Sequence, residues 1–137
     1  MGLPASGTLY LLDRDNLGHF NVQNDNQIVE ALPNIFPNRG NLGLSRPGNY
    51  SQAVCYNGTV FISPVADNVM AFPLTNGLLP TSPKVRSTET FDAPGGSLSV
   101  SVNGNSNGIL WAVQAIGVNG NGLSSGPGVL YAYDATT

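Results

Sequence analysis

Apolar residues in this chain gather in short segments rich in β-branched and aromatic side chains, and polar turn dipeptides separate one segment from the next. No window of a dozen residues carries apolar positions at a 3.6-residue period without a Gly, Pro or Asn breaking it, so no helix is predicted. Short segments bounded by turn signals predict an all-β fold: a sandwich, barrel or propeller. Nine strands are predicted: Thr8 to Asp13, His19 to Val22 running toward Ile28 to Leu32, Gln52 to Tyr56, Thr59 to Pro64, Asn68 to Leu74, Val85 to Phe91, Ser97 to Val102, Ile109 to Ala115 and Val129 to Asp134. Asn57-Gly58, Asn76-Gly77, Gly95-Gly96, Asn103-Gly104 and Asn107-Gly108 fall between them. Asn-Gly accepts the positive φ that two-residue hairpins need, so consecutive strands are expected to pair antiparallel.

The pattern repeats internally. Gly7-Thr-Leu-Tyr-Leu-Leu-Asp13 is matched by Gly128-Val-Leu-Tyr-Ala-Tyr-Asp134, and more loosely by Asn68-Val-Met-Ala-Phe-Pro-Leu74. Ahead of the looser match, Ala53-Val-Cys-Tyr-Asn-Gly-Thr-Val-Phe-Ile62 resembles Ser99-Val-Ser-Val-Asn-Gly104 followed by Gly108-Ile-Leu-Trp-Ala112. The unit is about four strands long, and four-stranded antiparallel units of this length are the blades of a β-propeller.

The segments Gly7-x-Leu-Tyr-x-Leu-Asp13 with Asn16-Leu-Gly18, and Gly128-x-Leu-Tyr-x-Tyr-Asp134, resemble the strand-and-turn repeat of the PQQ-like (quinoprotein-like) β-propeller family. The chain is similar to later blades of larger bacterial secreted or periplasmic propellers. That resemblance implies an exported protein, although Met1 to Ser6 shows neither the basic nor the apolar region of a signal peptide. Members that use the quinone hold it with a vicinal cysteine pair, a stacking Trp and a calcium-binding carboxylate set. Here Cys55 is alone, so the resemblance implies no quinone chemistry.

Against the blade pattern the chain is expected to form one domain: a blade remnant of two outer strands over about 7–33, a full blade over about 51–91 and an incomplete blade over about 97–137. Propellers close with four to eight blades. The expectation is therefore a homo-oligomer, with a dimer closing a ring of about six blades and N-terminal strands of one copy completing the C-terminal blade of the other.

Composition narrows the partners. Of 137 residues 9% are charged, 41% are hydrophobic and the formal net charge is -3. There is no basic stripe for nucleic acid or an anionic membrane, and no apolar run of the roughly 20 residues a membrane helix needs. A single cysteine excludes an intrachain disulfide. Cys55, between Val54 and Tyr56, is expected to be a small buried apolar residue.

Two functional readings remain open. The first is a non-catalytic scaffold or binding module that assembles with itself and takes a small molecule or glycan. The second is a small hydrolase acting on an ester, phosphoester or glycoside, with a site formed at the oligomer channel or subunit interface. Its residues would be His19, the only histidine, with Asp13 or Asp15 orienting the imidazole. Asp13-x-Asp15-Asn16 also resembles the opening of a calcium loop, but the twelfth position is Asn24 rather than Glu, so no cofactor or metal is expected. Glu89, Asp92 and Asp67 lie near predicted strand ends, where solvated charges are the default. Trp111, Tyr10, Tyr131 and Tyr133 are expected to pack between blades. Two Asn-x-Ser/Thr sequons, at Asn49 and Asn57, fit chance in an Asn-rich chain. The Gly117 to Pro127 loop is expected to overhang any site.

Overall fold

The computed structural model describes residues 7–17, 19, 21–24, 26–36, 48–104, 106–117 and 126–136. Among them lie nine strands and no helix: β1 (Leu9–Leu11), β2 (Glu30–Leu32), β3 (Val54–Tyr56), β4 (Thr59–Ile62), β5 (Asp67–Pro73), β6 (Val85–Phe91), β7 (Ser97–Asn103), β8 (Ser106–Ala115) and β9 (Gly128–Asp134). They form three antiparallel sheets of two, four and three strands, ordered β1-β2, β3-β4-β5-β6 and β7-β8-β9. Each strand pairs with its neighbour in sequence.

Turn chemistry explains that adjacency. Asn57 and Gly58 have φ of 46° and 71°, which carries β3 into β4, with Tyr56 opposite Thr59. Asn76 and Gly77, at 53° and 79°, make a second such turn closed by a bridge between Thr75 and Leu78. A primed turn twists with the strands it joins, so short Asn-Gly loops set register without strain.

The sheets stack face to face with the four-stranded sheet in the middle. On one side Ile62, Met70 and Phe72 pack with Leu32, Ile35 and Phe36, and Leu9 and Leu11 of β1 lie against this cluster. On the other side Phe61, Val69, Ala71 and Phe91 pack with Leu110 and Ala112, flanked by Tyr131 and Tyr133 of β9. Side chains alternate across a strand, so β5 sends Met70 and Phe72 one way and Val69 and Ala71 the other. It is buried on both faces for that reason, and each fully buried side chain of this size contributes about 1.5–3 kcal/mol.

Two predicted features differ. No strand lies among the described residues 19, 21 and 22 of the expected His19 to Val22 segment, and the one toward Leu32 shortens to Glu30–Leu32. His19 has a left-handed φ of 60°. Beyond it, Asn21 Oδ1 accepts the Gln23 N–H at 2.9 Å and Asn24 Oδ1 the Asn26 N–H at 3.1 Å. These side chains close local turns at the end of the segment and just past it, between it and β2. Asn107-Gly108 is not a turn but lies inside β8, where Asn107 has φ 54° beside a register shift in the β7–β8 ladder. Gly108 is required there, because a Cβ would stand 2.3 Å from the Tyr56 ring.

Candidate functional site

The stack ends in two sheets that each have one covered face. The outer face of β7-β8-β9 carries three cross-strand rows: Ser97, Val113 and Leu130; Ser99, Trp111 and Ala132; Ser101, Ile109 and Asp134. Leu130 is 60% exposed, Val113 47% and Ile109 37%. Trp111 is half-buried on this face and donates its indole N–H to Ser101 Oγ at 2.8 Å. At the other end Tyr10, opposite Ala31, is 52% exposed, with Leu12 at 51% and Val29 at 45%. Each face exposes a run of large apolar side chains, bordered on the first by the serines of β7 and by Asp134, the kind of surface that marks an interaction site.

The strong β1/β9 match assigns these faces a direction. Residue by residue, Leu9 corresponds to Leu130, Tyr10 to Tyr131, Leu11 to Ala132 and Leu12 to Tyr133. Sheet β1-β2 turns Leu9 and Leu11 toward the middle sheet, whereas β9 turns Tyr131 and Tyr133 toward it. The two end sheets therefore touch the middle one with opposite faces of the same motif. Seen this way, β5 aligns one residue away from the loose sequence match: Val69 and Ala71 take the places of Leu9 and Leu11, and Met70 and Phe72 those of Tyr10 and Leu12. A one-residue slip inverts both faces of a strand, so packing decides what sequence similarity alone did not.

Between the middle sheet and β9 lies a cleft of about 170 Å³, floored by Phe61, Val69, Ala71 and Leu110 and rimmed by Arg86 and Tyr133. The Tyr133 hydroxyl donates to Glu89 Oε2 at 2.9 Å, and Thr88 Oγ1 donates to Glu89 Oε1 at 2.7 Å. Hydrogen bonds from Thr88 and Tyr133 hold the Glu89 carboxyl below its ordinary range. Burial, reinforced by the neighbouring Glu89, pushes the Tyr133 phenol well above its usual value. Tyr131 stacks on Tyr133 with ring centroids 6.2 Å apart and meets Phe91 at 5.4 Å, tilted by 58°. Arg86 pairs with the buried Asp67 at 3.0 Å, and Asp92 accepts the Gly117 N–H at 2.8 Å. The three acidic residues noted near strand ends thus all have structural partners.

The expected hydrolase residues lie on the exposed connection after β1. Asp13 Oδ1 accepts the Asp15 N–H at 2.9 Å, and Asp15 pairs with Arg14 at 3.1 Å with both side chains in water. Among the described residues His19 has no hydrogen bond to either carboxylate. No group of three or more His, Cys, Asp and Glu side chains among the described residues is placed to hold a metal ion. Asn24 of the calcium-like spacing is instead bonded to Asn21 and Asn26.

Cys55 is exposed, not buried as expected. It sits on β3, an edge strand of its sheet, on the face opposite the one that carries Tyr56 into the core. Of the four aromatics expected between blades, Tyr131 and Tyr133 pack between sheets, whereas Tyr10 and Trp111 stand on outer faces. Most of the Gly117 to Pro127 loop lies outside the described residues. The signal that sequence reading missed is Ser63, fully buried, whose Oγ accepts the Gly96 N–H at 3.0 Å and ties the middle sheet to the start of β7.

The fold and faces define an all-β protein of stacked antiparallel sheets with an uncovered apolar face at each end. Compared with known protein families, with curated proteins and with solved structures, the chain matches none.

Proposed function

We propose that this protein is a non-catalytic, self-assembling scaffold or binding module: a sector of a β-propeller of the PQQ-like repeat kind, completed by a second copy of itself. One observation carries the reading. The three sheets stack in series, and the stack leaves an apolar face in water at both ends. Blades are stable only when neighbours cover both faces, so such a stack gains by adding sheets until it closes. With three sheets among the described residues of each chain, two copies bring about six, within the four to eight at which propellers close, and three copies overshoot it. As a binding module, the assembly would offer a small molecule or glycan the cleft beside Tyr133.

The hydrolase reading has less behind it. A general base needs an oriented imidazole, and Asp13 and Asp15 are engaged with the Asp15 amide and with Arg14. Light scattering of the purified chain tests the proposal: the expected mass at micromolar concentration is twice the 14.3 kDa of one chain. A well-folded monomer under those conditions would overturn it.

A further inference from the structure

We infer that copies of this chain join head to tail: the outer face of β8-β9 in one copy seats on the outer face of β1-β2 in the next. This rests on the self-assembly proposed above and specifies which surfaces meet. The argument comes from the repeat and from the two interfaces already inside the molecule. Leu9 and Leu11 face the middle sheet, and their counterparts Leu130 and Ala132 face water. Tyr131 and Tyr133 face the middle sheet, and their counterparts Tyr10 and Leu12 face water. Each end sheet therefore leaves open the side of the motif that the other end sheet has buried.

The internal interfaces also show what each side prefers. Leu9 and Leu11 lie against the cluster that holds Met70 and Phe72, the β5 positions that correspond to Tyr10 and Leu12. Tyr131 and Tyr133 lie against the cluster that holds Val69 and Ala71, which correspond to Leu130 and Ala132, and Tyr133 lines one cleft with both. At the matched strand positions both contacts turn the smaller aliphatic side chains of one strand toward the larger ones of its neighbour. Joining Leu130 and Ala132 to Tyr10 and Leu12 of a second copy repeats that contact a third time. A face-to-face pairing of like surfaces would instead set Leu130 against Leu130, or Tyr10 against Tyr10, a contact absent from the molecule. Because unlike patches meet, the contact is heterologous, and two such contacts close a dimer.

Charge substitutions on the two faces separate the outcomes. Leu130 and Tyr10 are exposed within one chain, so Leu130→Glu and Tyr10→Lys should leave the far-ultraviolet circular dichroism of the folded chain unchanged. Each alone should weaken the dimer at least tenfold in Kd by sedimentation. An equimolar mixture should recover it, because the mixed dimer keeps one unaltered contact and places Glu against Lys in the other. A dimer that one variant disrupts and the other leaves alone, or that mixing does not restore, would refute the head-to-tail contact while leaving self-assembly standing. In that group falls a dimer built by adding β1 to the open edge of β9. A wild-type monomer would refute both.

Discussion

Phe91 is the residue whose removal tests the stacking of the middle sheet on β7-β8-β9 most directly. It is fully buried at the end of β6, meets Tyr131 at 5.4 Å, and lies where a Cβ on Gly96 would come within 2.6 Å of its ring. Phe91→Ala removes an aromatic side chain from a close-packed interface and leaves a void the neighbouring strands cannot refill. The cost is about 3–5 kcal/mol for transfer and cavity together, including the lost ring pair. Set against a stability of about 5–15 kcal/mol, that is a large fraction of the fold. With a urea slope of about 2 kcal/mol per molar, the midpoint should fall by about 2 M. Urea unfolding followed by circular dichroism at one fixed protein concentration measures it, since association would otherwise shift the midpoint. Phe91→Leu should cost less than about 1.5 kcal/mol, because it keeps most of the volume. A second comparison sharpens the test. Gly96→Ala alone should destabilise by about 1–3 kcal/mol through overpacking, and by less when Phe91 is already Ala, with a coupling of at least about 0.5 kcal/mol. Additive effects, or a Phe91→Ala cost below about 1 kcal/mol, would mean that this ring does not join the two sheets.

Three further outcomes follow from named contacts. Ser63→Ala should cost about 1–3 kcal/mol in urea unfolding, because it leaves the Gly96 N–H buried without its acceptor; a loss under about 0.5 kcal/mol would contradict that bond. Glu89 titrates below its ordinary 4.5 when folded, so its contribution is present above that pH and is lost as pH falls through the folded value. Tyr133 titrates above its ordinary 10, so its contribution is complete below that pH and is lost as pH rises toward the folded value. Tyr133→Phe should make the alkaline limb of a plot of urea midpoint against pH shallower and lessen the acid limb in part, since the Thr88 bond to Glu89 remains, and unchanged limbs would show that the Tyr133 to Glu89 bond does not link folding to pH. The Cys55 thiol should react with a maleimide in the native protein at one equivalent per chain, and Cys55→Ser should shift stability by less than about 0.5 kcal/mol; protection until unfolding would place the thiol inside.

Local chemistry alone specified the all-β class, the antiparallel neighbours and most strand positions. Val85 to Phe91 is read correctly to the residue, and Asn57-Gly58 and Asn76-Gly77 act as the hairpin turns their backbone preferences require. Such features depend on residues close in sequence, so their cause is visible there. The expected His19 to Val22 strand meets a left-handed His19 and the Asx turns of Asn21 and Asn24 just after it, local backbone choices that apolar content does not reveal. Cys55 is exposed because it lies on an edge strand, where burial depends on what distant residues cover, and residues near it in sequence do not reveal that.

Only the tertiary structure decided which face of each strand is inward. The match of Asn68 to Leu74 with Gly7 to Asp13 is nearly as good one residue out of step, and that single step exchanges Met70 and Phe72 for Val69 and Ala71 on the surface turned toward β1-β2. A strand has period two, so an error of one residue preserves every local preference and reverses every long-range contact. The open ends of the stack, and the direction in which a second copy would join them, are set by how the sheets cover one another; no single segment carries that information.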